Sequence, residues 1–188
     1  MYLNCKTYFS FKYGTYSTKE LVQAAADNGV TALALTNINS TCDTWDFVQY
    51  CREAGIKPVC GAEIRNGDTL LYILLAANNK GLTWINEFLS VHLLEKKDFP
   101  ERAGETPFFN DLWDGFVVYP LGTKPLNELF PNEQVGLLRT DLTKLYSIDW
   151  KPYSDKLVIR QPVTFQNRIY HSLHRLLRAI HNNMLLSK

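Results

Sequence analysis

Residues 2–37 read YLNCKTYFSFKYGTYSTKELVQAAADNGVTALALTN. The run contains one complete strand–helix–strand unit. MYLNCKTY (1–8) is predicted as a strand, followed by a loop of aromatic and small residues. Ser17 then opens a helix over 17–29. It stands three residues before Glu20, the spacing of a capping box, in which the two side chains satisfy orphan backbone N–H groups. Asn28-Gly29 stops that helix. VTALALT (30–36) is apolar almost throughout and predicts a buried strand. Strand, crossover helix and strand together form the unit from which parallel sheets are built.

The same alternation continues outward. TWDFVQYCREAG (44–55) places Trp45, Phe47, Val48 and Cys51 at helical spacing, with Gly55 as the stop. IKPVCGAEI (56–64) is a third strand. Asn66-Gly67 is a strong hairpin signal, and TLLYILLAA (69–77) returns from it. LTWINEFLSVHLLEKK (82–97) predicts an amphipathic helix with Leu82, Ile85, Phe88, Leu89 and His92 in one stripe. This order predicts an α/β architecture with a largely parallel sheet or barrel, and such folds place their sites at strand ends.

The pattern then loosens. The charged, Pro- and Gly-containing stretch 96–115 reads as a surface excursion. FVVYPL (116–121), EQVGLLRT (133–140) and DKLVIRQPV (155–163) are strand candidates, with a short helix and loop over 141–154. The last segment, 165–188, is a helix with the apolar stripe Ile169, Leu173, Leu176, Leu177, Ile180 and Met184. Arg168, Arg175, Arg178 and three histidines share its other sides. They predict a solvated cationic face or, more sharply, contact with a partner domain or a phosphate backbone. The apolar pattern persists to the last residues, which predicts a piece of a longer protein. There is no internal repeat and no low-complexity tract.

Composition narrows the function. The chain has 188 residues, 46% of them hydrophobic, and a formal net charge of +1. Global charge therefore predicts neither a nucleic-acid nor a membrane partner. No apolar run approaches the roughly 20 residues of a membrane span, and no secretory pattern opens the chain. Cys5, Cys42, Cys51 and Cys60 are scattered without a C-x-x-C pair. They read as reduced thiols of a cytoplasmic protein rather than as disulfides or a zinc site. Asn4 and Lys6 lie two apart, on the same side of the first strand. That spacing suits two ligands aimed at one metal, but Asn and Lys are poor ligands.

Three pieces together resemble one family: residues 2–37, REAGIKPVCGAEI (52–64) and LLYILLAANNKGLTWINEFLS (70–90). They look like the N-terminal polymerase and histidinol phosphatase (PHP) domain of the bacterial DNA polymerase III alpha subunit. The resemblance implies a distorted, seven-stranded β/α, TIM-like barrel over 1–188, with the helix 166–188 leading toward the polymerase core. It is weakest from about Lys96 to Asp155. Active members hold up to three divalent metals at the strand C-terminal ends and hydrolyse phosphoesters.

The ligand positions carried over residue by residue are mostly occupied by non-ligands. The family's His-x-His pair falls on Asn4 and Lys6, its loop aspartate on Tyr13 and an auxiliary histidine on Tyr2. Its Thr-Asp-His signature reads Thr36-Asn37-Ile38. A further histidine falls on Leu71, the late Asn-Asp-x-His signature ends on Thr164, and Asp-x-His falls on Ile169-Tyr170-His171. Gly61-Ala62-Glu63 keeps its glutamate, so Glu63 and His171 are the two remaining plausible ligands. A Lys6 ammonium about 4 Å from a divalent ion would be repelled by roughly 8 kcal/mol at an effective dielectric of 20. Pairing Lys6 with Glu63 instead fills the space with a protein cation.

The sequence therefore predicts a degenerate, metal-free PHP domain with no catalytic residues and no cofactor. Its implied role in DNA replication is structural or subunit-binding. Its implied partners are the rest of the polymerase chain, other replicase subunits and DNA. One alternative is an active Zn-, Mn- or Mg-dependent phosphoesterase, a 3′–5′ exonuclease or pyrophosphatase, built around Glu63 and His171. A second is a non-catalytic phosphate or nucleic-acid binding module using Lys6, Lys12 and the tail arginines.

Overall fold

Twelve regular elements alternate along the chain: β1 (Tyr2–Cys5), α1 (Thr18–Asp27), β2 (Ala32–Ile38), α2 (Thr44–Glu53), β3 (Lys57–Asn66), β4 (Thr69–Ala76), α3 (Asn79–Glu95), β5 (Gly115–Pro120), β6 (Glu133–Leu137), β7 (Leu157–Ile159), β8 (Pro162–Val163) and α4 (Arg168–His181). They come from a computed structural model that describes residues 1–109 and 113–186. The capping box forms as the spacing predicts: Ser17 Oγ accepts from Glu20 N, and the Glu20 carboxylate accepts from Ser17 N at 2.9 Å. Gly29 and Gly55 end their helices in the left-handed region.

The eight strands form one sheet in the order β7-β6-β5-β4-β3-β2-β1-β8. All pairings are parallel except those of β4, which runs antiparallel to both neighbours through the Asn66–Gly67 turn. Laid flat, eight strands would separate the two edges by about 33 Å. Yet β7 and β8, the two edges, are joined by Arg160-Gln161 alone, and three Cα steps span at most about 11 Å. The sheet must therefore curl until its edges nearly meet. The resemblance implies seven strands and the structure has eight, because 155–163 divides into two short strands on opposite edges.

Side-chain alternation sorts the residues onto two faces. Outside, Cys5, Leu33 and Leu35 pack with Leu21 and Val22 of α1 and Phe47 and Cys51 of α2. Also outside, Ala62, Ile64, Tyr72, Leu74, Val117 and Tyr119 pack under Ile85, Phe88 and Leu89 of α3. The barrel interior is small: Ala34, Ile73, Leu75 and Val118. Gly61 survives in its motif for a packing reason, since a Cβ there would stand 2.1 Å from the Leu74 carbonyl oxygen.

Two expectations are corrected. The stretch read as a surface excursion delivers Phe99, Ala103, Phe109 and Trp113 into the largest core cluster, where Phe88 meets Phe99 and Phe109 rings at 5.4 and 4.8 Å. Its charged residues masked four apolar anchors; its residues 110–112 lie outside those described. The helix expected over 141–154 is instead a series of short 3-10 turns.

Candidate functional site

At the C-terminal end of the barrel, the interior face changes from apolar to ionic. β1 and the residue after it aim Asn4 and Lys6 inward, while β3 aims Glu63 and Arg65 inward from across β2. Lys6, Asn4 and Glu63 are essentially inaccessible to solvent. Lys6 Nζ donates to Asn4 Oδ1 at 2.6 Å and forms an ion pair with Glu63 Oε2 at 2.7 Å. Arg65 Nε holds the other carboxylate oxygen at 2.5 Å. Burial alone would raise the Glu63 carboxyl, but Lys6 and then Arg65 outweigh it and hold it below the ordinary carboxylate value.

Tyr13 covers this cluster. Its loop turns tightly, with Tyr13 N and Gly14 N donating to Ser10 O, and Lys12 takes a left-handed φ of 56°. The Tyr13 ring lies 4.8 Å from the Arg65 guanidinium, 5.1 Å from that of Arg178 on α4 and 5.9 Å from Lys6 Nζ, so it contributes three cation–π contacts. α4 is thereby fastened over the mouth. His174 Nδ1 meets the Tyr13 carbonyl at 2.6 Å, and Arg178 pairs with Asp68 of the β3–β4 turn.

This reverses the face expected for the last helix. Its cationic side is not simply solvated: His174 and Arg178 turn toward the barrel, and the apolar stripe faces outward. Ile169 and Ile180 are exposed, and none of its residues is buried. A stripe shows that a helix has an apolar face, not which neighbour covers it.

Burial lowers the His174 pKa from 6.5, with the Tyr13 carbonyl opposing the shift. The unfolded chain therefore binds the proton more readily, and folded stability falls as pH drops below about 6.5. In thermal melts, His174→Gln is expected to flatten that limb of the stability–pH curve while leaving the more acidic limb in place.

The other carried-over positions do not join the centre. Asn37 is knit into a buried network. Its Oδ1 accepts from Thr7 N at 2.9 Å and Ser10 Oγ at 2.7 Å, and its Nδ2 donates to Asp43 Oδ1 at 2.7 Å. Asp43 Oδ2 also accepts from Thr7 Oγ1 at 2.7 Å and Thr18 Oγ1 at 2.9 Å. Ile38 ends β2, with its N–H on Ser10 Oγ. Leu71 is core. The Thr164 carbonyl accepts from Thr15 N and Oγ1. Ile169 is exposed, and the exposed His171 rests its ring on Phe165 at 4.8 Å. Tyr2 lies outside the barrel, exposed at the edge of β1, rather than over the mouth with Tyr13.

Sequence reasoning missed Arg65, Asp43, Arg160 and His174. Arg65 was legible by parity, two residues beyond Glu63 on the same face. The donor set does not suit a divalent cation. Lys6 Nζ and the Arg65 guanidinium take up the Glu63 oxygens, and among the described residues no group of three or more His, Cys, Asp or Glu side chains is arranged to hold a metal. The Cys5 side chain faces away from this centre, packed outside the barrel with Leu21, Phe47 and Cys51.

A curled α/β sheet with a polar centre at the C-terminal ends of its strands is a barrel-like architecture of the kind that carries its functional sites at that end. The sequence model of the PHP domain matches residues 3–116, and the chain belongs to that family. It is 34% identical over 96 residues to the DNA polymerase III subunit alpha of Pseudomonas aeruginosa, covering 48% of this chain and 8% of that one. It is 27% identical over 135 residues to the same subunit of Haemophilus influenzae, covering 66% and 11%. The chain thus spans about a tenth of these relatives. A Bifidobacterium adolescentis protein described as a metal-dependent phosphoesterase aligns over 97% of this chain and 84% of its own, at 15% identity and a TM-score of 0.44, a likeness too loose to carry an argument.

Proposed function

We propose that residues 1–188 are a degenerate, metal-free PHP domain of a cytoplasmic bacterial DNA polymerase III alpha subunit. Its role in replication is structural: it stabilises the polymerase chain and carries contacts to other replicase subunits, with residues 166–188 leading toward the polymerase core. The observation that supports this best is the Lys6–Glu63–Arg65 ionic centre, which puts protein cations where metal-binding relatives need ligands. The relatives' names support the polymerase context. Among the described residues, no helix is long and apolar enough to cross a membrane. A phosphoesterase built on Glu63 and His171 finds no support in the position of His171, which packs on Phe165.

Titrating Mn²⁺ or Zn²⁺ into the purified, chelator-stripped chain is expected to leave its melting temperature unchanged. A ligand at 100 times its Kd would stabilise the fold by about 2.7 kcal/mol, which a melt resolves easily. A saturable rise, with hydrolysis of a chromogenic phosphodiester appearing alongside it, would overturn the reading.

A further inference from the structure

α1, α2 and α3 each pack against the outer wall of the barrel, as helices that follow strands ordinarily do. α4 follows β8 but crosses the mouth instead, and none of its residues is buried there. The wall beside β8 is left open. A cavity of about 200 Å³ lies on it, lined from the sheet by Tyr2, Leu33 and Val163 and from α1 by Leu21, Ala24 and Ala25. The chain thus carries an apolar groove without a helix and, just beyond β8, a helix whose apolar stripe has no cover. Ile169, Leu173, Leu176 and Ile180 are all exposed. A contiguous exposed apolar face of this kind marks a contact surface. Val163 lines the groove and ends β8, so only residues 164–167 separate the groove from α4. A loop of that length ordinarily returns a helix onto its own sheet.

What holds α4 over the mouth is polar. His174 Nδ1 meets the Tyr13 carbonyl at 2.6 Å, and Arg178 and Asn182 reach Asp68, whose side chain is 56% exposed. The Tyr13 ring adds an edge contact to His174 at 4.8 Å and the cation–π contact to Arg178. An ion pair open to water contributes little, and none of the helix's apolar side chains is buried behind it. The start of α4 does not depend on the barrel either. Asn167 Oδ1 accepts from Ile169 N at 2.9 Å and Tyr170 N at 3.2 Å, so the helix carries its own cap. Thr164 is pinned to Thr15 through its carbonyl, which confines the hinge to Phe165, Gln166 and Asn167, all exposed.

We propose that α4 is a strap with two positions: latched over the mouth by Tyr13 and Asp68, or seated on the outer wall beside α1 with its apolar stripe in the groove. Passing between them takes a swing and a turn about the helix axis, which the hinge backbone absorbs. The strap governs access to the mouth. Lys6, Glu63 and Arg65, with Arg160 near enough to feel the Glu63 charge, form the ionic centre there. On the wall, α4 takes His174 and Arg178 away from Tyr13 and leaves that ring over the centre without its latch. Neither position depends on what the centre binds.

The test is disulfide trapping in the 188-residue chain, with the exposed Cys42 replaced by Ser. Ala24→Cys is paired with Leu173→Cys or with Leu176→Cys, positions at matching depth on the two helices in the wall position. Incubation with oxidised glutathione is expected to join each pair within one chain, which peptide mapping identifies, since a disulfide needs Cα atoms within about 7 Å. Ala24→Cys with Arg175→Cys, on the flank of α4 away from the stripe, should join at least tenfold more slowly. Arg178→Ala removes the latch and should speed the stripe pairs at least threefold, because trapping from a minor state tracks its population. Hydrogen exchange on Arg178→Ala separates re-seating from fraying: α4 amides that stay protected support the wall position, and amides that lose protection overturn it. No trapping at either stripe position, equal trapping at Arg175 and the stripe, a rate indifferent to Arg178→Ala, or bonds formed only between chains would each overturn the proposal.

Discussion

Glu63→Gln is expected to destabilise the fold by about 3–5 kcal/mol, the usual cost of removing one partner from a buried ion pair. The charge arrangement explains why. Glu63 is the counter-charge for Lys6, which is 1% exposed and has no other carboxylate within ion-pair distance among the described residues. Asn4 can share a hydrogen bond with the ammonium but cannot neutralise it. Lys6→Met should cost less, because Glu63 keeps Arg65. The double variant Lys6→Met/Glu63→Leu should recover most of the loss, since an apolar pair of similar volume removes both desolvation costs and Arg65 is close enough to solvent to turn outward. Urea unfolding with unchanged m-values measures all three. A Glu63→Gln cost below about 1 kcal/mol would mean that the cluster is hydrated and contributes little. The pH dependence carries the same sign. The Glu63 pKa is depressed in the folded state, so its contribution is complete above about 4.5 and is lost as pH falls from there through the folded value. Glu63→Gln should remove that limb of the acid transition.

Much of this fold follows from local chemistry. The Ser17–Glu20 box, the glycine stops and the Asn66–Gly67 turn are each specified within a few residues, so they were legible. The centre was legible in part because strand parity puts residues 4 and 6, and 63 and 65, on one face. What could not be read locally is what meets across the barrel. Arg160 was lost inside a run that reads as one strand; only the closure of the sheet shows that the chain changes edges there. Phe99, Phe109 and Trp113 were hidden by surrounding charge. The period of α4 was plain, but its orientation depends on Tyr13 and Asp68, far away in sequence. Asp43 stands at the N-cap position of α2, where an aspartate ordinarily signals a cap. Here it makes no capping bond and turns into the core instead.

That inward turn gives Asp43 the second large expected effect. Its carboxylate accepts from three buried donors: Thr7 Oγ1, Thr18 Oγ1 and Asn37 Nδ2. These belong to the loop after β1, the first residue of α1 and the end of β2, so one side chain ties together the three segments that present the mouth. Asp43→Ala removes the acceptor common to all three in a site that is 2% exposed: Thr18 Oγ1 is left unpaired, while Thr7 Oγ1 and Asn37 Nδ2 keep only their contacts within the Thr7–Asn37 pair. At about 1–3 kcal/mol for the hydroxyl left unpaired and about 1.5–3 kcal/mol for each further bond to the carboxylate, partly relieved by water and by the Thr7–Asn37 contacts, the loss should be about 3–5 kcal/mol. Asp43→Asn should cost less, because its one oxygen can still serve two hydroxyls while its amide faces the Asn37 amide unfavourably. Hydrogen exchange distinguishes a local from a global role. If the network holds the loop, the Thr7, Ser10 and Tyr13 amides should lose protection in Asp43→Asn before the strand amides of β2 and β3 do. Uniform loss across the sheet would instead make Asp43 a support for the whole barrel, with no special hold on the loop that carries Tyr13 over the ionic centre.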